Sequence, residues 1–146
     1  MNLINLIILL PIAGAFFSAL CIFSNQQKKS EIISTVFVSI SALFSILAYI
    51  NLQDYAGTYH LYNWFKLGGK VIDFSILYDP LTAIMFLVVT LVSALVHIFS
   101  IGYMHDDPKR ARFFCYLSLF TFAMLMLVSA ENFIQLFLGW EGVGLC

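Results

Sequence analysis

Charge is what this sequence has least of. Asp, Glu, Lys and Arg make up 10% of the 146 residues, against 62% hydrophobic residues, and the formal net charge is -1. Soluble globular domains carry about 25% charged residues, so a soluble core does not account for this composition. No basic stripe is present for a nucleic acid to contact, which excludes nucleic-acid binding. The composition is typical of a polytopic membrane protein in contact with the lipid bilayer.

Cofactor and metal motifs are missing as well. The three cysteines, Cys21, Cys115 and Cys146, lie in apolar runs without C-x-x-C or Cys/His spacing, which is typical of packing residues. The sequence has no Gly-rich phosphate loop, no pair of haem ligands and no set of cluster-ligating cysteines. We therefore expect no redox cofactor and no metal in this chain.

Long apolar runs are present instead. A helix needs about 20 apolar residues to cross a hydrocarbon core of ~30 Å, and four runs meet or approach that length. No Lys or Arg precedes the first run, which is longer than the apolar part of a signal peptide, so we expect it to be retained. The predicted spans are residues 3–24, 32–52, 81–101 and 113–130, followed by the start of a fifth at 133–146.

The segment between the second and third spans has a different composition. Residues 59–67 and 70–77 are strand-like and are joined by Gly68 and Gly69, which predicts a β-hairpin over about 59–77 with a two-residue turn. An irregular extramembrane loop is the alternative. The aromatic residues of this segment suit the headgroup level or contact with other subunits: Tyr59, Tyr62, Trp64 and Tyr78. The predicted fold is thus a single all-α membrane domain over 1–146 with one short extramembrane hairpin.

Basic residues give the expected orientation. Two lie in a short first loop, 25–31, and three in 102–112, which we interpret as a solvated loop, against two in the hairpin. Cytoplasmic loops are enriched in Lys and Arg, so the N-terminus is expected outside, in a bacterial inner membrane. In a mitochondrial inner membrane the same loops would face the matrix. Asp79 precedes Pro80, and this pair predicts a capped helix start.

One carboxylate lies deep inside an apolar run. Counting from Phe133 at ~1.5 Å per residue puts Glu141 roughly 12 Å into the membrane. An ionised group at that depth costs about 2.5 kcal/mol or more and rarely lacks a partner or a function. The glycines around it, Gly139, Gly142 and Gly144, predict that another helix comes close and that Glu141 faces protein. We hypothesise that Glu141 exchanges protons; a hydrogen bond to a neighbouring helix is the alternative.

A histidine lies near the loop end of the third span. His97 is four residues from that end, or roughly 6 Å deep. Two roles are open for it: hydrogen bonding inside the bundle, which we favour, or relaying protons toward the aqueous side.

Three stretches resemble a known family. They read Ser100-Ile-Gly-Tyr-Met-His-Asp-Asp-Pro-Lys-Arg-Ala-Arg-Phe-Phe, Ala130-Glu-Asn-Phe and Gly139-Trp-Glu-Gly-Val-Gly-Leu-Cys. Together they resemble the L subunit of proton-pumping NADH:quinone oxidoreductase, respiratory complex I, whose mitochondrial equivalent is chain 5. The resemblance runs through the whole chain and covers the N-terminal portion of that family.

The resemblance implies a membrane-arm subunit related to cation/proton antiporters. The family's fifth-helix glutamate, matching Glu141, pairs with a lysine on a later helix and takes part in proton translocation as quinone is reduced elsewhere. NADH, flavin, iron-sulfur clusters and quinone would then belong to other subunits of the complex. The chain would contribute to proton translocation without carrying out redox chemistry, and by itself it would not be catalytic. Its partners would be other membrane-arm subunits and not a second copy of itself. His97 matches a histidine position on the family's third helix.

Two other functions stay open. A Mrp-type sodium/proton antiporter subunit shares the fold and the fifth-helix glutamate, although the Gly139–Cys146 string favours the complex I subunit. A structural or assembly fragment with no transport of its own is the other alternative, because 14 residues from Phe133 do not span the bilayer and the family's pairing lysine is not among these residues.

Overall fold

The computed structural model describes residues 3–23, 27–67 and 70–146. Its helices are α1 (Leu3–Phe23), α2 (Gln27–Ile50), α3 (Leu52–Tyr55), α4 (Pro80–Tyr103), α5 (Arg110–Val128) and α6 (Phe133–Leu145), and its strands are β1 (Gly57–Leu67) and β2 (Lys70–Tyr78). The predicted hairpin turn at Gly68 and Gly69, and the predicted end of the first span at Ser24, lie outside the described residues.

The predicted fold class is confirmed. In the part of the chain that the structure describes, four helices are long and apolar enough to cross a membrane, namely α1, α2, α4 and α5. The two strands form an antiparallel hairpin between α2 and α4, paired from Gly57 opposite Tyr78 to Leu67 opposite Lys70. The register shifts twice in β1, between His60 and Tyr62 and between Asn63 and Phe65. The chain is therefore a helical membrane protein with an extramembrane hairpin.

Two helices begin earlier than the apolar runs do. The structure starts α2 at Gln27 and α5 at Arg110, so several residues that we predicted as loop are helical. Gln, Lys, Glu and Arg all favour helix, which lets a helix continue past the edge of its apolar run. The two starts are also joined, because the side-chain Oε1 of Gln27 accepts a hydrogen bond from the backbone N–H of Ala111 at 2.9 Å.

The bundle is built around α2 and α5. Helix α1 packs against both, α4 packs against both on another side, and α6 packs on α5. Lipid tails are as apolar as Leu, so helices in a membrane associate through close contact of small residues and through hydrogen bonds. The buried face of α2 consists mainly of such small residues: Ser30, Ser34, Thr35, Ser41, Ala42, Ser45 and Ala48.

The apolar core lies at the hairpin end of the bundle. Ile4 and Ile7 of α1, Ile76 of β2 and Phe86 of α4 are all buried there. Tyr78 joins them, with its ring 5.7 Å from that of Phe86 in an edge-to-face arrangement.

Our prediction that Tyr78 lies at the headgroups or against other subunits is wrong. Tyr78 is fully buried, because it ends the strand that packs on α4 and so points into the bundle. Burial disfavours the charged phenolate and raises the pKa of Tyr78 to about 12. Tyr62, farther along the hairpin, is 55% exposed and stacks on Phe74.

The start of α4 is capped as predicted. A side-chain oxygen of Asp79 accepts a hydrogen bond from the backbone N–H of Thr82 at 2.7 Å, and Pro80 is the first residue of the helix. This hydrogen bond stabilises the charged carboxylate and lowers the pKa of Asp79.

Helix α6 turns back against α5 through a close backbone contact. A Cβ atom added to Gly139 would lie 2.7 Å from both Cα and N of Leu127. A Cβ at Gly142 would lie 3.1 Å from that of Ala123, whereas one at Gly144 would meet nothing within 4 Å. The helix that packs closely against Gly139 and Gly142 is therefore α5.

Substituting Gly139 by Ala should separate α6 from α5. The added methyl group meets backbone, which cannot move aside as a side chain does, so we expect a loss of about 1–3 kcal/mol. Gly144→Ala is the matched control and should be neutral or stabilising by up to ~1 kcal/mol, because Ala favours helix over Gly. The measurement is the thermal midpoint of the detergent-solubilised, full-length protein. Equal midpoints for the two variants would contradict the contact.

Candidate functional site

The predicted proton-exchanging carboxylate lies on the outer side of α6. Glu141 is eight residues after Phe133, or about 12 Å along the helix. Gly139 and Gly142 face α5, and Glu141 is exposed on another side of the helix. No hydrogen bond or ion pair joins Glu141 to another described residue. Its predicted contact with protein concerns groups beyond these residues and stays a prediction.

His97 is fully buried between α4 and α5. Its Nδ1 lies 2.8 Å from the backbone oxygen of Ser93, and its Nε2 lies 3.1 Å from Oγ of Ser118. The imidazole ring also contacts Phe114, with ring centres 5.9 Å apart. Both nitrogens thus have partners inside the bundle, an arrangement that fits a hydrogen-bonding role and a relay role alike.

Hydrogen bonds between side-chain hydroxyls extend from the His97 site and connect α2, α4 and α5. Ser118 Oγ of α5 lies 2.6 Å from Ser34 Oγ of α2. Ser93 of α4 is hydrogen bonded to Thr121 of α5. A polar cluster therefore lies between α2, α4 and α5, on the loop side of the apolar core. In this region we had predicted only His97.

A buried ion pair lies beyond this cluster toward the basic loops. Arg110 Nη1 is 3.5 Å from Glu31 Oε2, and the two side chains are only 11% and 8% exposed. Arg110 Nη1 also donates to the backbone oxygen of His105 at 3.1 Å. Our interpretation of 102–112 as a solvated loop is therefore wrong for Arg110, and our assignment of Glu31 to the first loop is wrong as well. The starts of α2 and α5 carry both residues into the interface between these helices.

A sequence signal for this cluster exists. Glu31, Ser34, Ser41 and Ser45 recur at spacings of three, seven and four residues, which places them on one face of α2. Counting Glu31 as part of a loop hid the start of that stripe.

The start of α6 is attached to the hairpin. The backbone N–H of Ser75 donates to Gln135 Oε1 at 3.3 Å, and the Ser75 hydroxyl donates to the carboxylate of Glu131. Asn132 accepts from the backbone N–H of Gln135 at 2.8 Å as the helix cap, and its Nδ2 donates to the backbone oxygen of Asp73 at 2.9 Å. The helix that carries Glu141 is thus held by β2.

Metal ligands are not grouped in the described ranges. No three His, Cys, Asp or Glu side chains within residues 3–23, 27–67 and 70–146 are placed to hold one ion. Cys21 is buried and Cys146 exposed, whereas Cys115 is half-buried and donates to the backbone oxygen of Ala15 at 3.4 Å.

Known proteins match the whole chain. The family model described as NADH-Ubiquinone oxidoreductase (complex I), chain 5 N-terminus, matches residues 64–114. NADH-quinone oxidoreductase subunit L of Rickettsia felis is 48% identical over 147 residues, covering 99% of this chain and 23% of the relative. NADH-ubiquinone oxidoreductase chain 5 of Chondrus crispus is 46% identical and that of Arabidopsis thaliana 44%, each over 96% of this chain and 21% of its own length. The chain therefore spans about a fifth of the length of these relatives.

Removing the side chain of Asn132 should loosen the start of α6. Asn132→Ala loses the cap, worth about 1 kcal/mol, together with the bond to the hairpin. Asn132→Asp keeps the cap acceptor and loses only the donor to Asp73, so we expect a smaller loss. The measurement is the thermal midpoint of the solubilised full-length protein.

Asn51 provides the control for this series. It also precedes a helix, α3, but its side chain makes no cap hydrogen bond and is exposed. Asn51→Ala should change the midpoint less than Asn132→Ala does. If Asn132→Asp destabilises as much as Asn132→Ala, the cap contributes nothing and only the hairpin bond matters.

Proposed function

We propose that this chain, which belongs to the NADH-quinone oxidoreductase subunit L and NADH-ubiquinone oxidoreductase chain 5 family, takes part in proton translocation in the membrane arm of respiratory complex I. The names of the relatives favour this function over the Mrp-type sodium/proton antiporter alternative. NADH oxidation and quinone reduction would take place in other subunits, and this chain would contribute proton transfer without redox chemistry. Its partners would be other membrane-arm subunits.

The observation that carries the proposal is Glu141. It is the one charged residue of α6, a helix of 13 residues, and lies about 12 Å from the start of that helix. Ionisable residues inside membrane segments generally mark ion pathways or relays, because inserting them is costly. Trp140 and Phe137 beside it are exposed apolar residues, so the carboxylate interrupts an otherwise apolar surface.

A lysine outside these 146 residues is the expected partner of Glu141, as the resemblance to the family implies. A cation about 4 Å from a carboxylate changes the free energy of its ionisation by ~4 kcal/mol at an effective dielectric constant of ~20. That energy corresponds to a change of about 1,000-fold in proton affinity. Moving the lysine toward or away from Glu141 would therefore suffice to load and release a proton.

The basic loops support an orientation. Lys28, Lys29, Lys109 and Arg112 are exposed at one end of the bundle, whereas Arg110 is neutralised by Glu31. We assign this end to the bacterial cytoplasm, or to the matrix in a mitochondrion, and the N-terminus and hairpin to the opposite side.

Replacing Glu141 by Gln tests the proposal. Gln has nearly the same shape but does not ionise, so NADH-driven proton pumping by membranes containing the assembled complex should fall at least about tenfold. Pumping is followed with a pH-sensitive dye in inside-out vesicles, normalised to the amount of assembled complex.

Glu131→Gln is the matched control. Glu131 lies two residues before the same helix and accepts a hydrogen bond from Ser75, a role that Gln also fills. It should pump normally. Normal pumping by Glu141→Gln would remove Glu141 from the mechanism, and the structural alternative would then be favoured.

A further inference from the structure

The polar cluster around His97 forms a continuous chain of hydrogen bonds across three helices. It joins Ser34 of α2, Ser118 of α5 and His97 of α4, and continues through Ser93 to Thr121. A proton-exchanging Glu141 makes no use of this chain. Its members are fully buried except Ser93, which is half-buried.

The hydrogen bonds leading to His97 all point the same way. The backbone oxygen of Ser93, 2.8 Å from Nδ1, can only accept, so Nδ1 carries the proton of the neutral imidazole. Nε2 then accepts, and the hydroxyl of Ser118 donates to it at 3.1 Å. Since Ser118 has one proton, Ser34 must be the donor in the 2.6 Å contact between the two serines.

A second segment lies beyond His97. Thr121 donates its proton to the backbone oxygen of Leu117 at 2.9 Å, so it accepts from Ser93. Ser34 and Ser118 thus donate toward His97, and Ser93 donates to Thr121. Between these two segments the Nδ1–H of His97 donates to the backbone oxygen of Ser93, and the Ser93 hydroxyl lies 3.4 Å from Nδ1.

The outer end of the chain carries an ionisable group. Glu31 lies one helical turn before Ser34 on α2, and its ion pair with Arg110 at 3.5 Å lacks hydrogen-bond geometry. Glu31 Oε2 and Ser30 Oγ are buried and have no hydrogen-bond partner among the residues that the structure describes. Arg110 keeps its bond to the backbone oxygen of His105 at 3.1 Å when Glu31 is neutral.

We propose that Glu31, Ser34, Ser118 and His97 form a proton relay from the basic-loop end of the bundle to its interior, with Ser93 and Thr121 as the inner end. The relay rests on the proposed function, because it supplies protons for translocation. It is a site separate from Glu141, which lies on the outer side of α6.

The transfer steps conserve protons at every atom. Glu31 takes up a proton from the loop side and passes one to the oxygen of Ser34, directly or through water. Ser34 gives its original proton to Ser118, and Ser118 gives its own to Nε2 of His97, which becomes imidazolium. The imidazolium releases its Nδ1 proton to the oxygen of Ser93, Ser93 gives its own proton to Thr121, and Thr121 gives its own to water in the adjoining groove. His97 is then the Nε2–H tautomer, so the starting state returns when the hydroxyls rotate and a flip of the imidazole ring exchanges the places of its two nitrogens.

The inner end of the relay lies near mid-membrane. Thr121 is eleven residues after Arg110 on α5, or about 16 Å along a core of ~30 Å. Ser93 and Thr121 also line a groove of about 240 Å³ between α4 and α5, together with Val92 and Leu117. The described residues that line the groove include no ionisable one, so water that enters it is the proton acceptor that the relay requires.

Substitutions of two serines of α2 distinguish a role in proton transfer from a role in helix packing. Ser34 and Ser41 are both fully buried, but Ser41 donates to the backbone oxygen of Ile7 at 2.7 Å and leads nowhere else. Ser34→Ala and Ser41→Ala remove the same atom from the same helix, and only the first breaks the relay. If the hydroxyls only hold the helices together, the two variants should behave alike.

The experiment measures NADH-driven pumping, the amount of assembled complex and the solvent deuterium isotope effect on pumping, in vesicles with the full-length variants. Ser34→Ala should pump about tenfold more slowly than the unmodified protein. A positioned proton-transfer group typically contributes ~100-fold to the rate, and the expected decrease is smaller because water can partly replace one hydroxyl. Its isotope effect should rise, while Ser41→Ala should match the unmodified protein in both. Equal pumping by Ser34→Ala and Ser41→Ala overturns the relay.

His97→Gln is the second variant, for use if Ser34→Ala lowers assembly. Gln keeps a donor and an acceptor of similar reach but does not take up a proton. A relay predicts loss of pumping in this variant, and a structural role predicts that pumping is kept.

Glu141→Gln in the same vesicles separates the two proposals. Pumping lost in Glu141→Gln but kept in Ser34→Ala and His97→Gln refutes the relay alone. Pumping kept in Glu141→Gln but lost in the relay variants refutes the role of Glu141 and leaves the relay standing.

Discussion

The bilayer interior offers almost no hydrogen-bond partners, so a polar group inside this bundle is stabilised chiefly by a partner within the protein. The contact between Ser34 and Ser118, at 2.6 Å, shows how this constraint is met. It joins the two central helices through hydroxyls small enough to let their backbones come close. Ser118 of the same pair also donates a hydrogen bond to Nε2 of His97, which links α4 to the two central helices. Packing and polarity are therefore satisfied by the same residues.

The constraint divides the bundle into two halves. The hairpin half contains the large apolar side chains, with Tyr78 and Phe86 fully buried among isoleucines. The loop half contains hydroxyls, His97 and the pair of Glu31 and Arg110. Large apolar groups leave little room for a proton path, whereas small polar groups favour one. The chemistry of the interior thus changes along the membrane normal.

The helices and strands could be predicted from the sequence because each has a local sequence pattern. Apolar runs predict the four spanning helices, and Asp79 with Pro80 predicts the capped start of α4. The hairpin follows from strand-like segments around Gly68 and Gly69. Contacts between helices leave no such pattern in the sequence, so we predicted Tyr78 at the surface and Glu31 and Arg110 in loops. Ion pairing between residues so distant in sequence depends on how α2 meets α5. The surroundings of Glu141 are beyond reach for the same reason, since they depend on chain outside these residues.

The ion pair of Glu31 and Arg110 also bears on how the protein enters the membrane. Its two charges are separated by roughly 80 residues of synthesis, or about 4 to 16 seconds at ribosomal speeds. During that interval α1 and α2 have emerged but the counter-charge on α5 has not been made. The carboxylate of Glu31 then has only water and lipid headgroups to solvate it, which holds that end of α2 at the membrane surface. We therefore expect α2 to reach its final depth only after α5 has been made, because α5 carries the counter-charge of Glu31.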